Sequence, residues 1–305
     1  MKERVRSSLM ATGALAVGFT KAGKIEDGAA EDYSKWIGEG LHGDMHYLER
    51  HLPLRNHTDS VLPGAKTVVS LAFGYKPEEW RSDNLPYVSF YAYGDDYHIV
   101  LKEILNPVVE NLKKEYGGKW RICIDSAPIA ERYWAMKSGI GKRGLNGNII
   151  IENYGPFCFL VQILTTLEIT PDIPSHKSCG DCGLCIDVCP SKSIKGNGMI
   201  DAKKCINYLT IEKKEEFTEE EARLLNSDNG YLFGCDRCLR ICPHNNPANN
   251  SLIKEFSLSD EIRNLTPERI LSIEEKEFKQ IFSRSPLLYA GYKRLRRNAL
   301  ILKNK

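Results

Sequence analysis

Apolar and polar positions along the chain follow two different periods up to about residue 170, one helical and one extended, alternating without a regular repeat. Residues 1–17 mix apolar and charged positions and predict a helix. Residues 29–51 predict another, interrupted at Gly38, Gly40 and Gly43. Lys66 to Phe73 is β-branched and apolar and follows the turn signal Leu62-Pro63-Gly64, so it predicts a buried strand. Between Asp95 and Tyr116, residues Ile99, Leu101, Ile104, Leu105, Val108, Val109 and Leu112 recur at helical spacing. Pro107 is expected to kink or divide that helix, and Gly117-Gly118 to end it. Trp120 to Ile124 predicts a short strand leading into Asp125-Ser126-Ala127-Pro128, with a helix from about Ile129 to Ser138. Asn148 to Ile151 and Phe157 to Leu164 predict two strands joined around Gly155-Pro156.

After Thr170-Pro171-Asp172-Ile173-Pro174, a linker by composition, the pattern changes. Thr218-Glu219-Glu220-Glu221 is a capping-box signature for a helix over 219–226. Beyond 250 the period is helical, with Phe278, Ile281 and Phe282 as core candidates. The expected fold class is α+β, with segments at 1–174, 175–250 and 251–305.

Composition narrows the picture. A chain of 305 residues with 42% hydrophobic content can bury a sizeable core. No apolar run approaches the roughly 18–20 residues of a membrane span. The N-terminus is charged and has no long apolar stretch behind it, so neither a signal peptide nor a membrane location is expected; the expected location is the cytoplasm. Net charge is only +2, which excludes a strongly basic nucleic-acid coat but not a local patch. The most basic run is Lys293-Arg294-Leu295-Arg296-Arg297. Its ordinary reading is a solvated helix face, and its sharper one a polyanion site through Arg294, Arg296 and Arg297.

The chemistry is carried by cysteine. Residues 179–190 have the spacing C-x2-C-x2-C-x3-C-P, in which three thiolates hold one iron–sulfur cluster and the fourth crosses to a second. The second arm, Cys235-x2-Cys238-x3-Cys242-Pro243, has Leu232 where a further ligand would stand, and isolated Cys205 is the substitute. Cys179, Cys182, Cys185 and Cys242 then hold one [4Fe-4S] cluster; Cys189, Cys205, Cys235 and Cys238 hold the other. Structural zinc favours separated C-x2-C pairs, and disulfides need an oxidising compartment, so both fit less well. Cys123 and Cys158 lie in apolar strand patterns, where buried, inert thiols are expected.

Two clusters pass single electrons, and a plain electron carrier needs no front domain of this size. An enzyme is the economical inference, with an organic or organometallic redox cofactor in the front domain. Asp125, at a strand end before a turn, is placed where active-site groups often sit, although turn-capping is the plainer role. The glycines at 139, 141, 144 and 147 let backbone approach a ligand. Asp44-x-His46-x-x-Glu49 only approaches a cobalt-histidine signature and is read as polar positions on a surface helix.

Several segments resemble the epoxyqueuosine reductase family. They are residues 62–66, Tyr91 to His98, Ile124 to Pro128, Cys205 to Glu212, Tyr231 to Cys238 and Leu295 to Leu300, together with the cysteine run. The resemblance implies a cobalamin-binding, α/β-sandwich-like domain followed by a ferredoxin-like domain with two [4Fe-4S] clusters. It implies reduction of epoxyqueuosine at the wobble position of tRNA to queuosine, with Asp125 giving a proton to the leaving oxygen. A proton donor there needs a raised pKa, which burial would provide. By the same matching, Arg55, Ile149, Leu160, Asn207, Cys238 and Leu239 fall at cobalamin contacts. The chain departs from relatives at residues 141–147, at Phe90 and at Val161-Gln162, which bears on the details of that pocket. The implied partners are tRNA and an unidentified electron donor, and a monomer is expected. The alternatives are a reductive-dehalogenase-like corrinoid enzyme and a non-catalytic ferredoxin-type carrier.

Overall fold

In a computed structural model, residues 1–175, 178–246 and 250–303 are described. The front of the chain is built on one antiparallel sheet. Its strands are β1 (Ala16–Lys21), β2 (Thr67–Gly74), β3 (Trp120–Cys123) and β4 (Cys158–Thr165), in the order β1-β2-β4-β3. All eight residues of β2 are buried, because helices cover both faces. Val69, Leu71, Val161 and Ile163 face one way and pack with Val100, Leu101 and Leu105 of the helix Tyr97–Tyr116. Val68, Leu164 and Cys123 face the other way and pack with Ile129 and Trp134. This period-two division is what the apolar run in the sequence encodes.

The helix Tyr97–Tyr116 is capped by Asp96, whose Oδ1 accepts from the His98 N–H at 2.8 Å, and ended by Gly117 at φ +71°. It runs through Pro107, contrary to the expected division. Pro107 is exposed, so the carbonyl it orphans faces water, while Val100, Leu101, Leu105, Val109 and Leu112 anchor the opposite face. A second difference concerns Ile149–Ile150, which pairs with Lys142–Arg143 and not with β4. The expected helix at 129–138 is Glu131–Lys137.

The cysteine arms carry two short helices, Leu184–Asp187 and Arg237–Arg240, which pack on each other. The predicted capping box is present on Glu219–Leu225. Tyr231–Phe233 pairs in parallel with Tyr87–Val88 of the front segment. One apolar core runs from Val5 to Leu302 and includes Phe233, Leu239, Phe278 and Leu295, so the expected boundaries near 174 and 250 are not gaps in packing.

Asn298 ties the last helix to the cysteine segment. It is 1% exposed, and its Nδ2 donates to the carbonyls of Thr210 at 2.8 Å and Leu232 at 3.0 Å. Asn298→Ala leaves both carbonyls without that donor. The expected cost is about 2–4 kcal/mol, read as a drop of several degrees in the Tm of the anaerobic protein; an unchanged Tm would show that the tie is dispensable.

Candidate active site and cysteine cluster

Asp125 follows β3 directly. Its backbone is left-handed, at φ +51°, a conformation a non-glycine residue holds only when its surroundings impose it. Those surroundings are explicit. The Asp125 N–H donates to Glu131 Oε1 at 2.8 Å, and the Ser126 N–H to the Ile124 carbonyl at 2.5 Å. Tyr97 Oη donates to Asp125 Oδ2 at 3.0 Å. His98 Nε2 lies 3.7 Å from the same oxygen, and its Nδ1 is 2.9 Å from Asp96 Oδ1. The Tyr97 ring stacks on Phe159 at 4.2 Å. An acid, a phenol and an imidazole thus converge where the helix Tyr97–Tyr116 begins and β3 ends.

The electrostatics reverse one expectation. The Asp125 side chain is exposed at its surface, yet protein surrounds it closely enough that burial alone would raise it; the charge of nearby His98 and the Tyr97 hydrogen bond outweigh this and hold the carboxyl below its ordinary value. Burial would likewise keep His98 neutral, yet the nearby Asp125 carboxylate and the hydrogen bond with Asp96 hold it up at about 9. Glu131 is pushed up to about 8, first by burial and then by the charge on Asp125. At neutral pH the protons of this site reside on His98 and Glu131.

Tyr91, Tyr97, Cys158 and Cys238 are only half-buried by accessibility. Even so, protein surrounds each closely enough that burial is the leading cause raising its pKa. Of the positions matched to cobalamin contacts, Ile149 and Leu239 are buried, while Leu160 and Asn207 are half-buried. Asn207 brackets Cys235, accepting from its N–H at 2.9 Å and donating to its carbonyl at 3.4 Å. Arg55 donates to the Ile129 carbonyl at 3.2 Å. Its Nε, with Tyr33 Oη and Asn56 Oδ1, is buried and has no hydrogen-bond partner. Buried polar atoms without a partner fit a bound group that supplies one.

No cysteine is disulfide-bonded among the described residues. Cys185 feels the charges of Cys179, Cys182 and Cys242. Cys238 feels those of Cys235, Cys205 and Cys189. These are the two groups of four that the spacing separates. The Cys189 Sγ also lies 3.3 Å from Ser193 Oγ and 3.4 Å from the Ser193 N–H. Cys123 and Cys158 are pushed up by burial to about 11 and about 12, as expected of inert thiols.

The basic run is corrected in part. Arg297 is buried; it donates to the carbonyls of Leu209 and Lys213 at 2.9 Å each and lies over the Phe217 ring. A guanidinium so engaged is not offered to a phosphate. Arg294 and Arg296 are half-buried and also donate to backbone, at Glu212 and Leu271. His98 and Glu131, for their part, were not among the expected site residues. The signal for His98 was in view, within Tyr91 to His98; Glu131 becomes visible only once the turn brings it back to Asp125.

Comparison with known proteins agrees with this geometry. Residues 55–126 match a family model described as "Epoxyqueuosine reductase QueG, DUF1730", and residues 178–245 one described as "4Fe-4S double cluster binding domain". An epoxyqueuosine reductase of Cellulophaga algicola is 34% identical over 300 residues, covering 98% of this chain and 97% of the relative. One of Cyclobacterium marinum is 34% identical over 94% of this chain and 92% of its own. Among solved structures, an epoxyqueuosine reductase with an epoxyqueuosine-modified tRNA-Tyr stem loop superposes with TM-score 0.88 at 26% identity, over 99% of this chain and 80% of that one. A Bacillus subtilis epoxyqueuosine reductase, whose catalytic aspartate loop is described as swung out of the active site, gives 0.86.

An acid-bearing α+β domain joined to a double-cluster segment defines an iron–sulfur oxidoreductase. The chain belongs to the epoxyqueuosine reductase family. That membership favours the reductase reading over the dehalogenase-like and carrier alternatives. No helix among the described residues is long and apolar enough to cross a membrane.

The His98 assignment has a consequence for stability. Its pKa rises from 6.5 to about 9 on folding, so its contribution is complete below 6.5 and is lost as pH rises through about 9. The stability gap between wild type and His98→Gln should be widest near pH 6 and shrink by pH 9.5, measured by thermal unfolding at each pH. A gap independent of pH would show that His98 stays neutral.

Proposed function

We propose that this chain reduces epoxyqueuosine in tRNA to queuosine. The supporting observation is the convergence of Asp125, Tyr97 and His98 in a domain that continues into the paired cysteine groups. The overall change takes two electrons and two protons, opens the epoxide, forms an alkene and releases the oxygen as water. Bound cobalamin would supply the two-electron chemistry at the carbon–oxygen bond. Arg55, Ile149, Leu160, Asn207, Cys238 and Leu239 would hold it, and the unpartnered buried atoms of Arg55, Tyr33 and Asn56 fit such a guest.

Asp125 faces the leaving oxygen and delivers the proton; a positioned acid relieves the alkoxide charge that ring opening develops. Because Asp125 is itself held low, His98 is the proton store behind it, poised by Asp96. Tyr97 fixes the carboxylate's orientation. Cys179, Cys182, Cys185 and Cys242 would hold one cluster and Cys189, Cys205, Cys235 and Cys238, the group that adjoins Asn207 and Leu239, the other; such clusters would supply single-electron transfer. The stem-loop complex of a relative supports tRNA as the substrate carrier, and a tRNA substrate fits a cytoplasmic location. RNA contact is not assigned to Arg297. The protein acts as a monomer with a separate electron donor.

Three measurements bear on this. Cells lacking the protein, with no second such enzyme, should accumulate epoxyqueuosine in tRNA by mass spectrometry of digested nucleosides; normal queuosine would defeat the assignment. Asp125→Asn should keep clusters and cobalamin but lose most turnover, about 100-fold or more, and full turnover would remove Asp125 from its role. Cys205→Ser should lose about half of the iron of the anaerobic protein, one of two clusters; full iron content would mean that another residue completes that site.

A further inference from the structure

Asp125 needs more than proton traffic. Its backbone sits in the left-handed region, uncommon for a non-glycine residue though best tolerated by Asp and Asn, and its side-chain partners Tyr97 and His98 do not fix its main chain. The main-chain N–H has one partner, Oε1 of Glu131, at 2.8 Å. Glu131 opens the helix Glu131–Lys137, and its own position is set from the sheet. Its carbonyl accepts from Gln162 Nε2 at 3.2 Å, and Gln162 Oε1 accepts from Ser70 Oγ at 2.6 Å. Ser70 and Gln162 are wholly buried and directly opposed in the β2–β4 ladder. A continuous polar path therefore runs from the buried β2–β4 ladder, through Glu131, to the amide of Asp125.

We propose that Glu131 is a positioning residue: its carboxyl group is the latch that holds the Asp125 turn in the geometry from which the acid reaches substrate. The inference rests on the reading of Asp125 as the acid. The groups around the latch are consistent with a mechanical role. Asp125, Tyr97 and Cys123 face it from the turn, the long helix and β3, while Arg55 and Arg132 bring positive charge from the other side. Burial keeps the carboxyl protonated near neutrality, so it accepts the amide without placing a second full negative charge beside Asp125.

The test uses the anaerobic protein loaded with clusters and cobalamin, and reads amide hydrogen exchange over 124–128 beside steady-state kinetics. Glu131→Ala should raise exchange in that segment by about tenfold or more. It should lower kcat with little change in KM and leave the Tm within a few degrees. Glu131→Gln keeps an acceptor oxygen at the same reach and should restore both exchange and kcat. Glu131→Asp keeps the acid but shortens the arm, so it should behave like Ala; it stands in if the alanine variant does not fold. Unchanged exchange in the Ala or Asp variant overturns the latch. So does a Gln variant with native exchange but the kcat of Ala, which would make Glu131 a proton donor instead. Exchange is independent of substrate, so it remains readable even if the proposed reaction fails.

Discussion

The ladder between Thr67–Gly74 and Cys158–Thr165 is the constraint on which the rest of the front domain depends. Both strands are enclosed by helices, so neither can slide without exposing one apolar face and burying the wrong one. The Ser70–Gln162 pair sits inside this ladder, and a buried pair of this kind is tolerated only when its members satisfy each other, which fixes register more tightly than apolar packing alone. Three features of the site are placed relative to that ladder. The Asp125 turn hangs from β3, which pairs with β4. Phe159 of β4 carries the Tyr97 ring, and Gln162 of the same strand carries Glu131.

Protons and electrons are kept apart by this arrangement. The proton-bearing groups, His98 and Glu131, belong to helices packed on the sheet. The thiolates lie in a segment attached through the parallel pairing of Tyr87–Val88 with Tyr231–Phe233 and through the last helix. Such a division suits a reaction whose redox half needs single-electron conduits and whose acid half needs a group held ready to give up a proton. The depressed Asp125 follows from the same placement: the charge of His98 and the Tyr97 hydroxyl both favour its ionised form.

Much of this was legible in the chain, and the limits have physical causes. The double cysteine run was readable because ligand spacing is set by cluster geometry rather than by the fold around it. The buried strand at 67–74 and the amphipathic helix at 97–116 were readable because one period dominated each. Pro107 was misleading because local rules treat proline as a breaker, whereas five buried residues on the far face outweigh one lost hydrogen bond. The pKa of Asp125 was misjudged for a related reason. Burial is visible in an apolar sequence context, but a neighbouring imidazole brought in from 27 residues upstream (125 − 98) is not. Arg297 shows the same limit: a basic run reads as a surface until its carbonyl partners, some 80 or more residues away in the chain, are seen.

The fate of Arg297 bears on how the redox segment is held. The sequence Arg297-Asn298 supplies a cation and an amide to the carbonyls of Leu209, Thr210, Lys213 and Leu232, on both sides of the cysteine arms. Leu209 and Thr210 belong to the π-helix Tyr208–Glu212, a wound segment whose register is one residue looser than an α-helix. That segment follows Cys205 and contains the Thr210 hydroxyl, which accepts from the Gly234 N–H just before Cys235. The last helix therefore braces the backbone around two cysteines of the same group from a single pair of side chains. An acidic or apolar residue at 297 would leave buried carbonyls without a donor in the one place where a shift of the chain would change thiolate spacing. Arg297, within the basic run, is thus an internal brace for the cysteine segment, and its positive charge serves carbonyl oxygens rather than a phosphate.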